Sequence, residues 1–211
     1  MKLTIAEGLY LIAMDDEEGR LLSAADKRII PGVISAIFLE LCITRKITLE
    51  EGLVKVTNTQ GSGNKILDDI ARKVVPGKDV VTQIEHLSHH SKDILADLDE
   101  LLSQRGILKR EATKLLWIPL SERMGNANYA YEKEIRNILH AMVFKKAKPT
   151  PAFVVLMSLI HDCNILDEVF RDKDELIDAE KVAKDITDST AVDPDTSKAL
   201  HELRAYFEKL P

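Results

Sequence analysis

The run Pro31-Gly32-Val33-Ile34-Ser35-Ala36-Ile37-Phe38-Leu39-Glu40-Leu41-Cys42 carries a single charge, Glu40. Val33, Ile37, Phe38, Leu41 and Cys42 recur at helical spacing and form a wide apolar face. A helix with so little polar surface must be covered on most sides, which predicts a central core helix starting after Pro31 and Gly32.

The segments around it read as its cover. Upstream, Thr4 and Glu7 form a capping box that opens a helix with Ile5, Leu9 and Ile12, up to the turn Asp15–Gly19. Downstream, Ile47–Leu49 and Leu53–Val56 flank Glu50-Glu51-Gly52 as a small hairpin. Gly61-Ser62-Gly63-Asn64 leads into a helix with Ile66, Leu67, Ile70 and Val74, ended by Pro76-Gly77. Val81, Ile84 and Leu87, then Ile94, Leu95, Leu98, Leu101 and Leu102, continue the helical period until Gly106 stops it. Ile107–Lys109 and Thr113–Ile118, closed by Pro119, read as a second hairpin.

Further amphipathic helices carry Ile135, Ile138, Leu139, Met142 and Val143; Leu176, Val182 and Ile186; and Leu200, Leu203, Tyr206 and Phe207. Between them Thr150-Pro151 opens a strongly apolar helix through Ile160. No linker or repeat divides the chain. The expected fold class is mainly α: one domain over 1–211 with two small β-hairpins.

Composition narrows the function classes. The 211 residues have a net charge of −6 and a pI near 5.6, so bulk electrostatics oppose nucleic acid as a partner. The apolar stretches around Ile29–Leu39 and Pro151–Ile160 are shorter than the roughly 20 residues of a membrane span. Glu7 and the acidic run Asp15–Glu18 interrupt any signal-peptide pattern. Two cysteines, Cys42 and Cys163, both in apolar helical patterns, fit buried thiols in a reducing cytoplasm. A chain of this kind that meets a membrane lies on it.

No motif calls for a cofactor or a metal. His86 and His90 have helical metal-ligand spacing, but Leu87 stands where a metalloprotease has glutamate, and no further ligands are near in sequence. Gly61–Lys65 looks like a phosphate cradle, yet Ile66 follows the lysine where a P-loop has Ser or Thr; a plain N-capped turn is expected. The acidic groups Asp68-Asp69 and Asp97-Asp99-Glu100 read as solvated faces. Neither a G-x-S-x-G elbow nor a G-x-G-x-x-G fingerprint is present, which leaves an enzyme without a recognisable site. Lys114-Leu115-Leu116-Trp117 holds the sole tryptophan, with Lys109, Arg110 and Arg123 around it. Either its side chains pack on the helices, or it is an apolar hairpin edged by cations, suited to a membrane interface or a subunit contact.

The order of these segments resembles the Golgi phosphoprotein 3 family, bacterial relatives included, over nearly the whole chain. The resemblance is carried by Leu3-Thr4-Ile5-Ala6-Glu7 with Asp15–Gly19, by Phe38-Leu39-Glu40-Leu41 with Arg45-Lys46-Ile47, and by Gly61–Ala71 with Ile66-Leu67-Asp68-Asp69. Arg105-Gly106-Ile107-Leu108 and Leu156–Phe170, with His161, Leu166 and Phe170, complete it. It implies a central helical bundle wrapped by amphipathic helices. It further implies a non-catalytic peripheral adaptor, since the eukaryotic members bind phosphatidylinositol 4-phosphate and retain glycosyltransferases in the Golgi. At the positions of that family's headgroup pocket this chain has Ser23-Ala24-Ala25-Asp26, Ile34, Lys92 and Leu95. Lys27, Arg28 and Lys92 are therefore the candidate cations for an anionic, phosphoinositide-like headgroup. Lys114, Leu115, Leu116 and Trp117 are the candidate contact with a membrane surface or a second copy in a homo-oligomer. A soluble interaction scaffold without lipid is the alternative.

Overall fold

Why α2 (Ile29–Ile43) lies at the centre follows from its burial: Val33, Ile34, Ala36, Ile37, Phe38, Leu39 and Leu41 are all within 1% of complete enclosure. The computed structural model describes residues 3–15, 20–22, 27–115, 118–126, 129–144 and 147–210, with the backbone alone at 15, 20, 110–115 and 118–126. The helix begins two residues earlier than the sequence predicts. Pro31 falls inside the first turn, where its missing N–H would have had no helical partner anyway. Around α2 pack α1 (Ile5–Ile12), α3 (Lys65–Lys73), α4 (Val80–Ser88), α7 (Pro151–Asp162) and α10 (Pro194–Phe207). The chain is mainly α, and one continuous apolar core runs from Leu3 to Phe207.

The remaining helices are α5 (Ser91–Gln104), α6 (Ala130–Val143), the short α8 (Leu166–Val169) and α9 (Lys173–Asp185), with a 3-10 turn at Ile186–Asp188. In α9 the fully enclosed residues are Ala179 and Ala183, while Leu176 and Val182 are only half-buried. Small side chains let α9 approach α7 closely, and a pattern read from large apolar residues misses that. Tyr206 and Ile138 are likewise half-buried at the margins of their helices.

Three antiparallel pairs are present among the described residues. β1 (Met14–Asp15) and β2 (Arg20–Leu21) close the acidic turn after α1. β3 (Ile47–Glu50) and β4 (Leu53–Val56) form the expected first hairpin, with Glu51 and Gly52 at φ +53° and +86° between them. Its outer edges are occupied. Leu49 N–H donates to Asp195 Oδ2 of α10 at 3.1 Å, and Val54 exchanges backbone bonds with Gly77 and Lys78 at 2.8 Å. The second hairpin differs from expectation: β5 (Leu108–Leu115) is one strand of eight residues, paired with β6 (Ile118–Asn126). Thr113 and Ile118 thus belong to opposite strands, and Pro119 lies within β6, opposite Lys114, where the register shifts.

Three helices stop by the same device. After α2, α5 and α7 a residue with positive φ (Arg45, Gly106, Asn164) lets the next amide reach back to the carbonyls of Leu41, Leu102 and Ile160. Cys42 and Cys163 are free and buried, as their apolar settings predict.

Candidate functional site

The longest hairpin offers the clearest separate feature. β5 leaves the core at Ile107 and Leu108, both buried, straight after the Gly106 stop of α5. Seven residue steps at about 3.4 Å carry it roughly 24 Å along the strand to Leu115, which pairs with Ile118. The register therefore sets Leu115 and Ile118 at the far end of the ribbon, with Lys114 opposite Pro119 just behind them. Leu116 and Trp117 join those two residues in sequence and lie outside the described residues.

The candidate headgroup cations are spread over two places. Lys27 is exposed and Arg28 half-buried at the entry to α2, where Arg28 Nη2 donates to Leu210 O at 3.1 Å. Lys92 is exposed in the first turn of α5. Arg28 lines a cavity with residues of α7, α9 and α10, and none of its lining residues belongs to α5. Of the positions corresponding to the family's pocket, Ile34 is enclosed in α2 and Leu95 is half-buried. Ser23–Asp26 lie outside the described residues.

The glycine turn is an anion cradle that the chain fills itself. Ser62 donates to Asp68 Oδ1 through its N–H at 2.7 Å and its Oγ at 2.8 Å. These bonds from Ser62 hold the Asp68 carboxyl below its ordinary range. Lys46, 7% exposed, stands 3.7 Å from the same oxygen and donates to Gln60 O. Asn64 then caps α3, accepting from Ile66 N–H and Leu67 N–H at 2.9 and 3.2 Å. The expected N-capped turn is there, and two motifs distant in sequence, Arg45-Lys46-Ile47 and Ile66-Leu67-Asp68-Asp69, meet at one ion pair.

Two carboxylates expected on a solvated face act as ties. Asp99 accepts from Tyr10 Oη at 2.5 Å, linking α5 to α1, and burial together with Asp99 pushes the Tyr10 phenol up. Asp97 pairs with Lys65 at 2.7 Å, linking α5 to α3. A third group was not foreseen at all. Glu40 Oε2 accepts Ile5 N–H at 2.9 Å, so a carboxylate on the core helix caps α1 from outside, beside the capping box of Thr4 and Glu7. Glu7 is 1% exposed and paired with Arg105 Nη1 at 2.8 Å. Burial, with Glu7 nearby, raises Glu40 to about 7. His86 and His90 meet edge to face at 6.0 Å, and no group of three or more His, Cys, Asp or Glu is arranged around a metal position among the described residues.

A core helix sheathed by amphipathic helices, with one long hairpin leaving it, defines a mainly α scaffold whose sites sit on the periphery. No helix among the described residues is long and apolar enough to cross a membrane. The family model of Golgi phosphoprotein 3 (GPP34) matches residues 5–203, and the chain belongs to that family. No curated protein matches it significantly.

Proposed function

We propose that this protein is a non-catalytic peripheral membrane adaptor, attached through the tip of the β5–β6 hairpin and steered by weak cationic contacts with anionic headgroups. The observation that carries the reading is the ribbon itself, whose register gathers Leu115 and Ile118 at its end with Lys114 one step behind. Burying two or three large apolar side chains contributes several times the roughly 1 kcal/mol of one surface cation. Attachment is then dominated by the tip, while Lys27, Arg28 and Lys92 choose the lipid. Family membership supports the adaptor role, and the net charge of −6 agrees with headgroup contacts that are local and weak.

Vesicle sedimentation tests this. Leu116→Ser with Trp117→Ser should lower vesicle affinity at least about tenfold while thermal unfolding stays unchanged. Replacing Lys27, Arg28 and Lys92 with alanine should cost a few-fold and remove most of the salt dependence. Unfolding of the double serine variant would show these side chains to be core, and the membrane reading would fall. A second reading has its own support: the two-stranded ribbon has outer edges that no other strand pairs among the described residues, so a second copy can add to it. Full vesicle binding by the serine variant, with a lower oligomer mass, would favour that scaffold instead.

A further inference from the structure

A cavity of about 180 Å³ lies where the ends of α7 and α10 meet α9, lined among others by Arg28, His161, Asp162, Glu180, Arg204 and Glu208. Its wall contains an incomplete group. The Asp162 side chain is 2% exposed; its Oδ1 accepts Arg204 Nε at 3.2 Å and faces His161 Nδ1 at 2.9 Å. Its Oδ2 is shut off from bulk water and has no hydrogen-bond partner among the described residues. A desolvated carboxylate oxygen without a donor is costly, and a donor brought by a ligand recovers that cost.

The surrounding charge says which donor. Arg204 is committed to the chain: besides Asp162 it donates to Lys184 O at 2.6 Å, Ala183 O at 2.7 Å and Ser158 Oγ at 3.2 Å. Arg28 holds Leu210 O. Glu180 and Glu208 stand exposed at the mouth, so three carboxylates face two guanidinium groups. An anion entering here meets a surplus of negative charge, whereas a cation with N–H groups meets both its counter-charge and the vacant acceptor. The volume admits a molecule of a few heavy atoms and no more, given about 30 Å³ for one water.

We propose that this cavity binds a small primary ammonium group, with its N–H groups completing Asp162 and its charge balanced by Glu180 and Glu208. The same chemistry comes as a free amine or as the headgroup of an aminophospholipid. Only the lipid source rests on the peripheral-membrane reading.

Amide chemical-shift titration of the full chain tests the proposal, with ethanolamine as probe and choline, which has no N–H, as control at matched ionic strength. Ethanolamine should give saturable shifts around His161–Asn164 and Arg204–Glu208, and choline should bind at least about tenfold more weakly. Glu180→Gln with Glu208→Gln, both at exposed positions, should weaken ethanolamine about tenfold. Absence of saturable shifts, equal binding of choline, or an unaffected double variant overturns the proposal; water would then complete Asp162. Phosphatidylcholine vesicles with and without phosphatidylethanolamine separate the sources. Enhancement that the double variant loses assigns the lipid headgroup, and ethanolamine binding without enhancement assigns the free amine. Ethanolamine binding by a protein that sediments with neither vesicle upholds this site and sinks the membrane reading.

Discussion

Glu40 shows how much one side chain can decide. In the sequence it is the lone charge on an apolar helix; in the fold it caps α1 across 35 residues of chain. Its carboxyl titrates near 7 when folded and near 4.5 as a free group, because burial disfavours the charged form. The folded protein therefore holds this proton more tightly than the unfolded chain. The stabilisation is complete below about pH 4.5 and is lost as pH rises through about 7. Glu40→Gln keeps an acceptor for Ile5 N–H and removes the charge. Denaturant unfolding should find it more stable than wild type by at most about 3 kcal/mol at pH 8, with the difference vanishing near pH 4. An equal difference at both pH values would refute the assignment. Glu51 makes a second test at this scale. With φ +53° ahead of Gly52 it occupies a turn position suited to Asn or Gly. Glu51→Asn should raise stability by about 0.5–1 kcal/mol in the same assay.

Between elements, the closest approach is that of α2 to the end of α7. A Cβ placed on Gly32 would lie 2.2 Å from Cys163 Sγ, and that thiol itself donates to Arg28 O at 3.5 Å. Gly32→Ala should cost about 1–3 kcal/mol through overpacking. Adding Cys163→Ala removes the sulfur, so the double variant should be less destabilised than the sum of the two single changes. Additive effects would mean that the two helices adjust independently. The glycine turn teaches a related lesson about elements. Gly61-Ser62-Gly63 was legible as a cradle and Asn64 as a cap, but that the anion would be Asp68, seconded by Lys46, depended on α2 and α3 arriving side by side.

At the scale of the molecule, a single apolar core joins the first helix to the last. Unfolding should be one transition, with far-UV circular dichroism and thiol reactivity of buried Cys42 and Cys163 changing together. Phe207, 1% exposed near the C-terminal end of α10, should report on the whole. Phe207→Ala is expected to cost about 3–5 kcal/mol and to lower the single midpoint without splitting it. A separate early transition would show that α10 is only loosely coupled to α2.

The sequence alone determined the helical class, the central position of α2, the Thr4–Glu7 capping box, the first hairpin, the Gly106 stop and the burial of both cysteines. These follow from periodicity and local chemistry, which act within a few residues and so can be read in order along the chain. The tertiary structure decided the rest. It extended the second hairpin to β5–β6, because strand pairing is a contact between segments and Pro119 is tolerated at a register shift. It buried Gln83 completely, with its amide bonded to Val75 N–H and Val75 O. It made Asp97 and Asp99 ties instead of solvated charges, and it assembled Arg28, Asp162 and Arg204 from α2, α7 and α10. A polar side chain carries no signal of its partner until the fold brings the two within about 3 Å, and for that reason the peripheral sites became visible only in three dimensions.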